Sequence, residues 1–332
     1  MFCHIYPVEF LRAYNKTQLP QLLKFVDATA GPEAAYMVDH NARIEYMDRH
    51  KIDIEVLTLA FQNAIDTLTE KDLMKITKIA NDSIANVASR HPERMVGIAM
   101  LPKLTEEYLD ELDRSIKDLG MRGCVIFTNI LGKPVDSPEF LHFFERMAKY
   151  DLPILLHPTN WAYYPWVREY RLGQIFGWPF DTSLAMARIV FGGIFQRFPN
   201  LKIVTHHIGG MIPFYGGRVR EFYDETMDQP EIYGAGLFPY SEMMQKAAKH
   251  PLDDFKKFYG DTVVYGNMPS LKCGLDFFGS DHVVFATDYP FGTNKGERLT
   301  GEIIDSLMKL DVDEKERQNI FESNARRILK LA

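Results

Sequence analysis

Short apolar runs alternate along the chain with longer stretches of mixed polarity. The runs span four to six residues and lie at Glu55–Leu59, Met95–Met100, Gly123–Phe127, Pro153–His157, Lys202–His206, Thr262–Tyr265 and His282–Ala286. Nearly continuous apolar runs of this length are typical of strands buried on both faces of a parallel sheet. The stretches between them, such as Leu73–Arg90 and Glu106–Leu119, repeat apolar residues at the spacing of amphipathic helices. The pattern therefore predicts alternating strands and helices.

The number of apolar runs indicates a closed α/β barrel. Seven runs and a short apolar start make eight strands, and eight such units close into a (β/α)8 TIM barrel whose first strand is short. No linker rich in Pro, Gly or Ser divides the sequence, so residues 1–332 are predicted to form one domain. The alternative, an open doubly wound sheet, requires a Gly-rich phosphate turn that the sequence lacks. The stretches 158–180 and 208–260 are predicted to carry active-site loops and subunit contacts.

Composition argues against two classes of partner. The net charge of -7 and the isoelectric point near 5.8 are unlike those of nucleic-acid-binding proteins, whose contact surfaces are basic. The sequence contains no apolar run of about 18 residues, so no membrane span is predicted. The cysteines Cys3, Cys124 and Cys273 show no paired spacing, which favours a reducing cytoplasm.

Candidate metal ligands follow three of the predicted strands. His4 ends the first strand, His157 the fifth, and Asp288 follows the last. Catalytic side chains of such barrels lie at the carboxyl ends of strands, so we expect these three to converge. Two imidazoles and one carboxylate suit one divalent ion such as Zn²⁺, Mn²⁺ or Fe²⁺. The predicted fourth strand, Gly123–Phe127, has no Lys or Glu to bridge a second metal, so the site is predicted to be mononuclear.

Strand alternation separates neighbouring candidates. Phe2 and His4 share the inward face of the first strand, which leaves Cys3 as a packed thiol. By the same rule His206 and His207 point in opposite directions, and one of them enters the site. Taken alone, His157 fits a packed core histidine better than a ligand, and Asp288 is compatible with a turn cap. The joint placement of the candidates at several strand ends favours a functional site.

An aromatic cluster follows the fifth strand. It consists of Trp161, Tyr163, Tyr164, Trp166 and Trp178. These rings are suited to lining an apolar pocket for a substrate ring, and Trp161 is the first candidate. A loop packed at a subunit interface is the equally compatible alternative.

Segments spread over nearly the whole chain resemble one family, the amidohydrolase-related group of aminocarboxymuconate-semialdehyde decarboxylase and the hydroxybenzoate decarboxylases. The longest and most specific is GGIFQRFPNLKIVTHHIGGMIPFYGGR at 192–218. The shorter segments, in the same order as in the family, are HIYP at 4–7, RIEYMDRHKID at 43–53, LPILLHPTN at 152–160, VVFATDYPFG at 283–292 and NARRILKL at 324–331.

The resemblance implies roles for five residues. His4, His157 and Asp288 match metal ligands of the family, which implies one divalent ion, Zn²⁺ or Mn²⁺. His207 precedes the Gly-Gly pair and the proline as the family's catalytic histidine does. Arg218, eleven residues further on, matches an arginine that crosses the dimer interface to hold a substrate carboxylate. The resemblance therefore also implies a homodimer.

One departure from the family concerns the first ligand of its HxH pair, which is His or Glu in relatives. Phe2 stands at that position and cannot bind a metal, so the chain retains at most three family ligands.

The predicted function is non-oxidative decarboxylation of an aromatic or unsaturated carboxylic acid, with His207 or Asp288 as the proton donor. A metal-dependent hydrolase or hydratase is one alternative. A non-catalytic relative that binds a carboxylated ligand is another, favoured by Phe2.

Overall fold

A computed structural model describes residues 1–15, 38–59, 68–159, 165–235, 240–244 and 250–332. The strands among these residues are β1 (Cys3–His4), β2 (Glu55–Thr58), β3 (Met95–Gly97), β4 (Ala99–Met100), β5 (Cys124–Phe127), β6 (Asn129–Ile130), β7 (Lys133–Pro134), β8 (Pro153–His157), β9 (Lys202–Thr205), β10 (Tyr259–Asp261) and β11 (Val283–Val284). Most are short and almost wholly buried, as the apolar runs predict.

Helices separate most of these strands. The α-helices are α1 (Val8–Asn15), α2 (His40–His50), α3 (Glu70–Arg90), α4 (Glu106–Lys117), α5 (Leu141–Tyr150), α6 (Trp178–Phe191), α7 (Ile194–Arg197), α8 (Ile212–Asp228), α9 (Pro230–Tyr233), α10 (Tyr240–Met244), α11 (Pro251–Phe255), α12 (Met268–Phe278), α13 (Glu297–Met308), α14 (Glu314–Gln318) and α15 (Asn324–Leu329). Short 3₁₀ or π turns cover Pro138–Phe140, Pro165–Arg171, Gly173–Gly177, His207–Gly209 and Asn319–Ser323. Among the described residues, no helix combines the length and apolarity needed to cross a bilayer.

The contacts divide the chain into two compact units. Unit 1 contains residues 1–126 and 285–311, and unit 2 contains residues 127–284 and 312–332. In unit 1, β1, β2 and β3 form a parallel sheet in that order, and β4 pairs in parallel with β5. The start of the chain also hydrogen bonds to the segment after β11, because the N–H of Asp288 donates to the carbonyl of Phe2 at 3.1 Å. The start of the chain and the segment after β11 are therefore neighbours within unit 1.

Unit 2 is built on four parallel strands in the order β8, β9, β10 and β11. A two-stranded antiparallel hairpin, β6 with β7, precedes them. Parallel strands with their carboxyl ends at one edge bring the residues that follow them together. This edge carries the imidazoles described below.

Helix α3 illustrates why the amphipathic stretches fold as predicted. The side chain of Thr69 accepts a hydrogen bond from the N–H of Asp72 and caps the first turn. The residues that the helix buries include Leu73, Ile84 and Val87, which recur at the spacing of one helical face. Local capping and burial therefore agree at this helix.

The sixth apolar run was misplaced by sequence reasoning. The strand was predicted at Thr262–Tyr265, whereas β10 occupies Tyr259–Asp261. After β10 the chain turns, because the carboxylate of Asp261 accepts the N–H of Val263 at 3.0 Å and Tyr265 has φ of 54°. The apolar valines are buried in this turn rather than in a strand, so hydrophobicity alone misplaced the strand.

Candidate active site

In unit 1, strand β1 and the segment after β11 bring His4 next to Asp288. Nε2 of His4 lies 3.2 Å from a carboxylate oxygen of Asp288, and both side chains are buried. The main chains are joined as well, because the N–H of His4 donates to the carbonyl of Tyr289 at 2.6 Å. Asp288 has φ of 58°, in the left-handed region of backbone conformation. Two of the predicted ligands are thus neighbours.

The hydroxyl of Thr58 lies between the carbonyl of Cys3, at 3.3 Å, and Nδ1 of His4, at 3.0 Å. In the tautomer with a proton on Nδ1, Thr58 donates to the carbonyl and its oxygen accepts from His4. Nε2 then carries the lone pair of the neutral ring and faces an anionic oxygen of Asp288. Two electron-rich atoms this close require a proton or a metal cation between them, which fits the proposed role of both residues as ligands.

Tyr6 lies in the same region and is affected by the charge of Asp288. Burial raises the pKa of the Tyr6 phenol, and the negative charge of Asp288 raises this pKa further. Tyr6 therefore remains a neutral phenol at physiological pH.

In unit 2, His157 and His206 lie at the ends of β8 and β9. Their ring centroids are 5.4 Å apart, and each offers a ring nitrogen within 4.8 Å of the other's. Nδ1 of His157 contacts the carbonyl of Pro158 at 2.6 Å, and Nδ1 of His206 contacts the carboxylate of Asp261. Because carbonyl and carboxylate oxygens accept hydrogen bonds, both Nδ1 atoms carry protons, and in the neutral rings both Nε2 atoms carry the lone pairs. This is the tautomer in which histidine binds a metal through Nε2.

His206 and His207 lie side by side, contrary to the prediction that they point in opposite directions. Their rings stack with centroids 3.9 Å apart. Alternation fails because β9 ends at Thr205 and the backbone then enters the left-handed region, with φ of 55° at His207 and 53° at Ile208. Gly210 continues this turn, and a Cβ there would lie 2.3 Å from the carbonyl oxygen of Pro179. The Gly-Gly pair thus permits the turn that places both imidazoles together.

His207 has aromatic neighbours on the same side of unit 2. The hydroxyl of Tyr265 lies 3.4 Å from Nε2 of His207, and the ring of Trp178 stacks on the imidazole at 6.3 Å. Trp178 also contacts His157 edge-on at 6.3 Å. Of the predicted aromatic wall, Trp178 therefore lies at the imidazoles. Trp161, Tyr163 and Tyr164 lie outside the described residues.

Arg218 lies on an exposed face of α8. Its guanidinium stacks over the ring of Phe222, with Cζ 4.7 Å from the ring centroid. A solvent-facing arginine is a position suited to contact with a second subunit or a ligand, and the predicted role stays a prediction.

Sequence reasoning missed Asp261 as a site residue. In the predicted register Asp261 precedes the strand Thr262–Tyr265, and that position does not indicate a site residue. With β10 at Tyr259–Asp261, the carboxylate stands at the carboxyl end of a parallel strand, the position that directed attention to the other candidates. The correct strand register is the signal that would have identified it.

The chain also matches known proteins over most of its length. A family profile described as amidohydrolase matches residues 3–331. The chain belongs to this family. Among curated relatives, 2-amino-3-carboxymuconate-6-semialdehyde decarboxylase from Dictyostelium discoideum is 31% identical over 88% of this chain and 77% of its own. Gamma-resorcylate decarboxylase from Rhizobium radiobacter is 26% identical over 88% of this chain and 87% of its own. A 2-keto-4-carboxy-3-hexenedioate hydratase from Sphingobium is 25% identical over 75% and 69%.

Solved structures of the same amidohydrolase fold cover the whole length. The 5-carboxyvanillate decarboxylase of Novosphingobium aromaticivorans, solved with manganese and 3-methoxy-4-hydroxy-5-nitrobenzoic acid, has a TM-score of 0.82 at 21% identity and covers 99% of this chain and 95% of its own. A 2,6-dihydroxybenzoate decarboxylase complexed with 2,6-dihydroxybenzoate has a TM-score of 0.76 at 22% identity over 99% and 97%. The predicted family resemblance is confirmed.

Proposed function

We propose that this amidohydrolase-family protein is a metal-dependent decarboxylase that removes CO₂ non-oxidatively from an aromatic or unsaturated carboxylic acid. The observation that carries the proposal is the buried contact between Nε2 of His4 and a carboxylate oxygen of Asp288 at 3.2 Å, an imidazole–carboxylate pair of the kind that binds a divalent cation. The named relatives support the reaction, since the curated relative at 31% identity is itself a decarboxylase.

For the metal, we propose that His4, His157 and Asp288 hold one divalent ion, Zn²⁺ or Mn²⁺. Imidazole nitrogen and carboxylate oxygen are donors that both ions accept. When bound, the ion supplies Lewis-acid polarisation of an oxygen beside the scissile carboxylate. Thr58 and Pro158 orient the two imidazoles through the hydrogen bonds already described.

The residues around the reacting carbon handle the proton. Loss of CO₂ breaks a C–C bond and leaves its electron pair on the substrate carbon, which must then be protonated. His207 in its protonated form is the proposed donor, and a protonated Asp288 is the second candidate. Trp178 packs against His207 and is suited to the face of a substrate ring, a role that we also propose for Trp161. Arg218 is proposed to hold a substrate carboxylate across the subunit boundary with its planar fork.

The test is CO₂ release from a panel of hydroxybenzoates and muconate-type acids, with Mn²⁺ or Zn²⁺ supplied. We expect turnover of at least one acid and a loss of about 10²-fold or more in His207→Asn. His142→Asn is the matched control, because His142 lies exposed on α5. An inactive wild-type protein across the panel, with metal bound, would contradict the proposal.

A hydratase or hydrolase is the second candidate, favoured by the similarity to the hexenedioate hydratase. The same residues would then orient a water molecule towards an unsaturated acid or a lactone. Turnover of such compounds without CO₂ release, followed by mass spectrometry of the products, would favour this reading over decarboxylation.

We further propose that the parallel strands close into a (β/α)8 barrel, that the chain forms a homodimer, and that it functions in the cytoplasm. The hydrogen bonds between β1 and the segment after β11 support the first proposal. The exposed aromatic face of α8 supports the second, and the free cysteines support the third.

A further inference from the structure

We infer that His206 is itself a ligand of the metal ion, beside His157. The inference rests on the proposed metal-dependent function and assigns to this chain a ligand that the family resemblance does not. The sequence supplies a reason for it: the family's first imidazole or carboxylate ligand falls at Phe2, so this chain lacks one donor. An additional imidazole at His206 restores the number of protein ligands.

The geometry of unit 2 prepares His206 for this role. Its side chain is buried, and its Nδ1 donates to Asp261, so in the neutral ring Nε2 carries the lone pair. The ring nitrogens that His206 and His157 offer lie within 4.8 Å of each other, a separation that a shared tetrahedral or octahedral ion brings to about 3 Å with a small side-chain movement. Neither ring needs to flip or exchange a proton to bind.

Asp261 provides the independent support. Its carboxylate is fully buried and accepts from three donors, namely Nδ1 of His206, the N–H of Ile208 at 3.1 Å and the N–H of Val263 at 3.0 Å. These three hydrogen bonds hold the carboxylate, and through it the ring of His206, in a fixed orientation. The row of carboxylate, imidazole and metal is the arrangement that fixes ring orientation and raises the basicity of the ligand.

The neighbouring histidine has a different environment. Nε2 of His207 faces the hydroxyl of Tyr265, and its ring packs on Trp178. The two stacked imidazoles therefore have different roles. His206 binds the metal, and His207 lies next to the proposed position of the substrate ring. This division explains why the chain has two consecutive histidines at the end of β9.

His206→Asn tests the assignment with little other change. The amide nitrogen of asparagine occupies the place of Nδ1 and can still donate to Asp261, while the position of Nε2 is lost. Asp261→Asn is the second variant, because it keeps His206 and removes only its charged acceptor. His207→Asn is the matched control on the adjacent ring. The readouts are metal content after dialysis, by elemental analysis, and Zn²⁺ and Mn²⁺ affinity, by chelator competition.

We expect His206→Asn and Asp261→Asn to lower metal affinity about 10- to 100-fold, and His207→Asn to change it less than about threefold. Circular dichroism and thermal melting identify any variant that fails to fold, and Asp261→Asn then decides the question. Wild-type affinity in both variants overturns the assignment of His206 and leaves the proposed decarboxylase intact. A wild-type protein that binds no metal overturns both.

Discussion

At the scale of single residues, the hydrogen bond made by one ring nitrogen determines what the other nitrogen can do. A different oxygen faces Nδ1 in each of three histidines. It is a carbonyl oxygen for His157, a carboxylate oxygen for His206 and a hydroxyl oxygen for His4. All three acceptors are buried, so solvent does not compete for the Nδ1 protons. Two of these acceptors, Thr58 and Asp261, lie on other strands, so the sequence alone does not show them beside the histidines. The third is the carbonyl of Pro158, the residue after His157.

The cysteines provide a prediction at this scale. Burial, with a smaller contribution from the charge of Glu55, raises the pKa of the Cys3 thiol to about 11. A raised pKa lowers the thiolate fraction, to roughly 0.001 at pH 8, and the thiolate is the reactive form. Cys124 is also fully buried with a raised pKa. Burial raises the pKa of Cys273 as well, but this cysteine is partly exposed.

We therefore expect iodoacetamide at pH 8 to modify Cys273 in the folded protein while Cys3 and Cys124 react only after unfolding. Mass spectrometry of proteolytic peptides, with and without urea, measures this. Rapid labelling of Cys3 in the folded protein would show that β1 opens to solvent. Slow labelling agrees with the sequence-based interpretation of Cys3 as a packed thiol.

At the scale of elements, helix α2 holds the end of β1 in place through Arg43. Its guanidinium donates to the carbonyl of His4 and, at 2.9 Å, to the carboxylate of Glu55 on β2. It also lies over the ring of Tyr289, 4.8 Å from the centroid, and the ring of Tyr46 stacks on Tyr289. One buried side chain thus links the two segments that carry His4 and Asp288.

Arg43→Met is expected to lower the free energy of unfolding by about 3–5 kcal/mol, because it leaves the buried carboxylate of Glu55 without its cation. The double variant Arg43→Met with Glu55→Leu should recover most of this loss, since neither charge then remains buried. Chemical denaturation measures both.

The matched control lies on the same helix. Arg49 pairs with Glu297, but the arginine side chain is 55% exposed, so Arg49→Met should cost less than about 1 kcal/mol. Equal losses for Arg43→Met and Arg49→Met would contradict the role assigned to the buried pair.

The elements were predictable where hydrophobicity and burial coincide, and less so elsewhere. The run Pro153–His157 is a strand at the predicted residues, because all five positions are buried in a central strand. The run Thr262–Tyr265 is as apolar, yet the strand precedes it and contains Gly260 and Asp261. A hydrophobic pattern does not locate the end of a strand whose final residue is a charged site residue. For the same reason Asp261 was not recognised as a site residue.

At the scale of the whole molecule, unit 2 carries exposed aromatic side chains on α8. Phe214, Arg218 and Phe222 are spaced by four residues and share one face of the helix, and Phe214 is 77% exposed. Exposed apolar patches of this kind mark interaction surfaces in soluble proteins. The resemblance that implies an arginine at a dimer interface places that arginine, Arg218, between the two phenylalanines.

Phe214→Asp and Phe222→Asp are therefore expected to convert a dimer into a monomer, because each introduces a charge into a face that a second copy would bury. Light scattering coupled to size exclusion measures the mass. Met308→Asp is the control, since Met308 is also an exposed apolar residue but lies on α13 in unit 1, and it should leave the dimer unchanged. If Arg218 acts across the interface, the monomeric variants should lose decarboxylation together with the dimer, while their metal content stays at the wild-type level. A monomer with full activity would separate the two properties and remove Arg218 from the site.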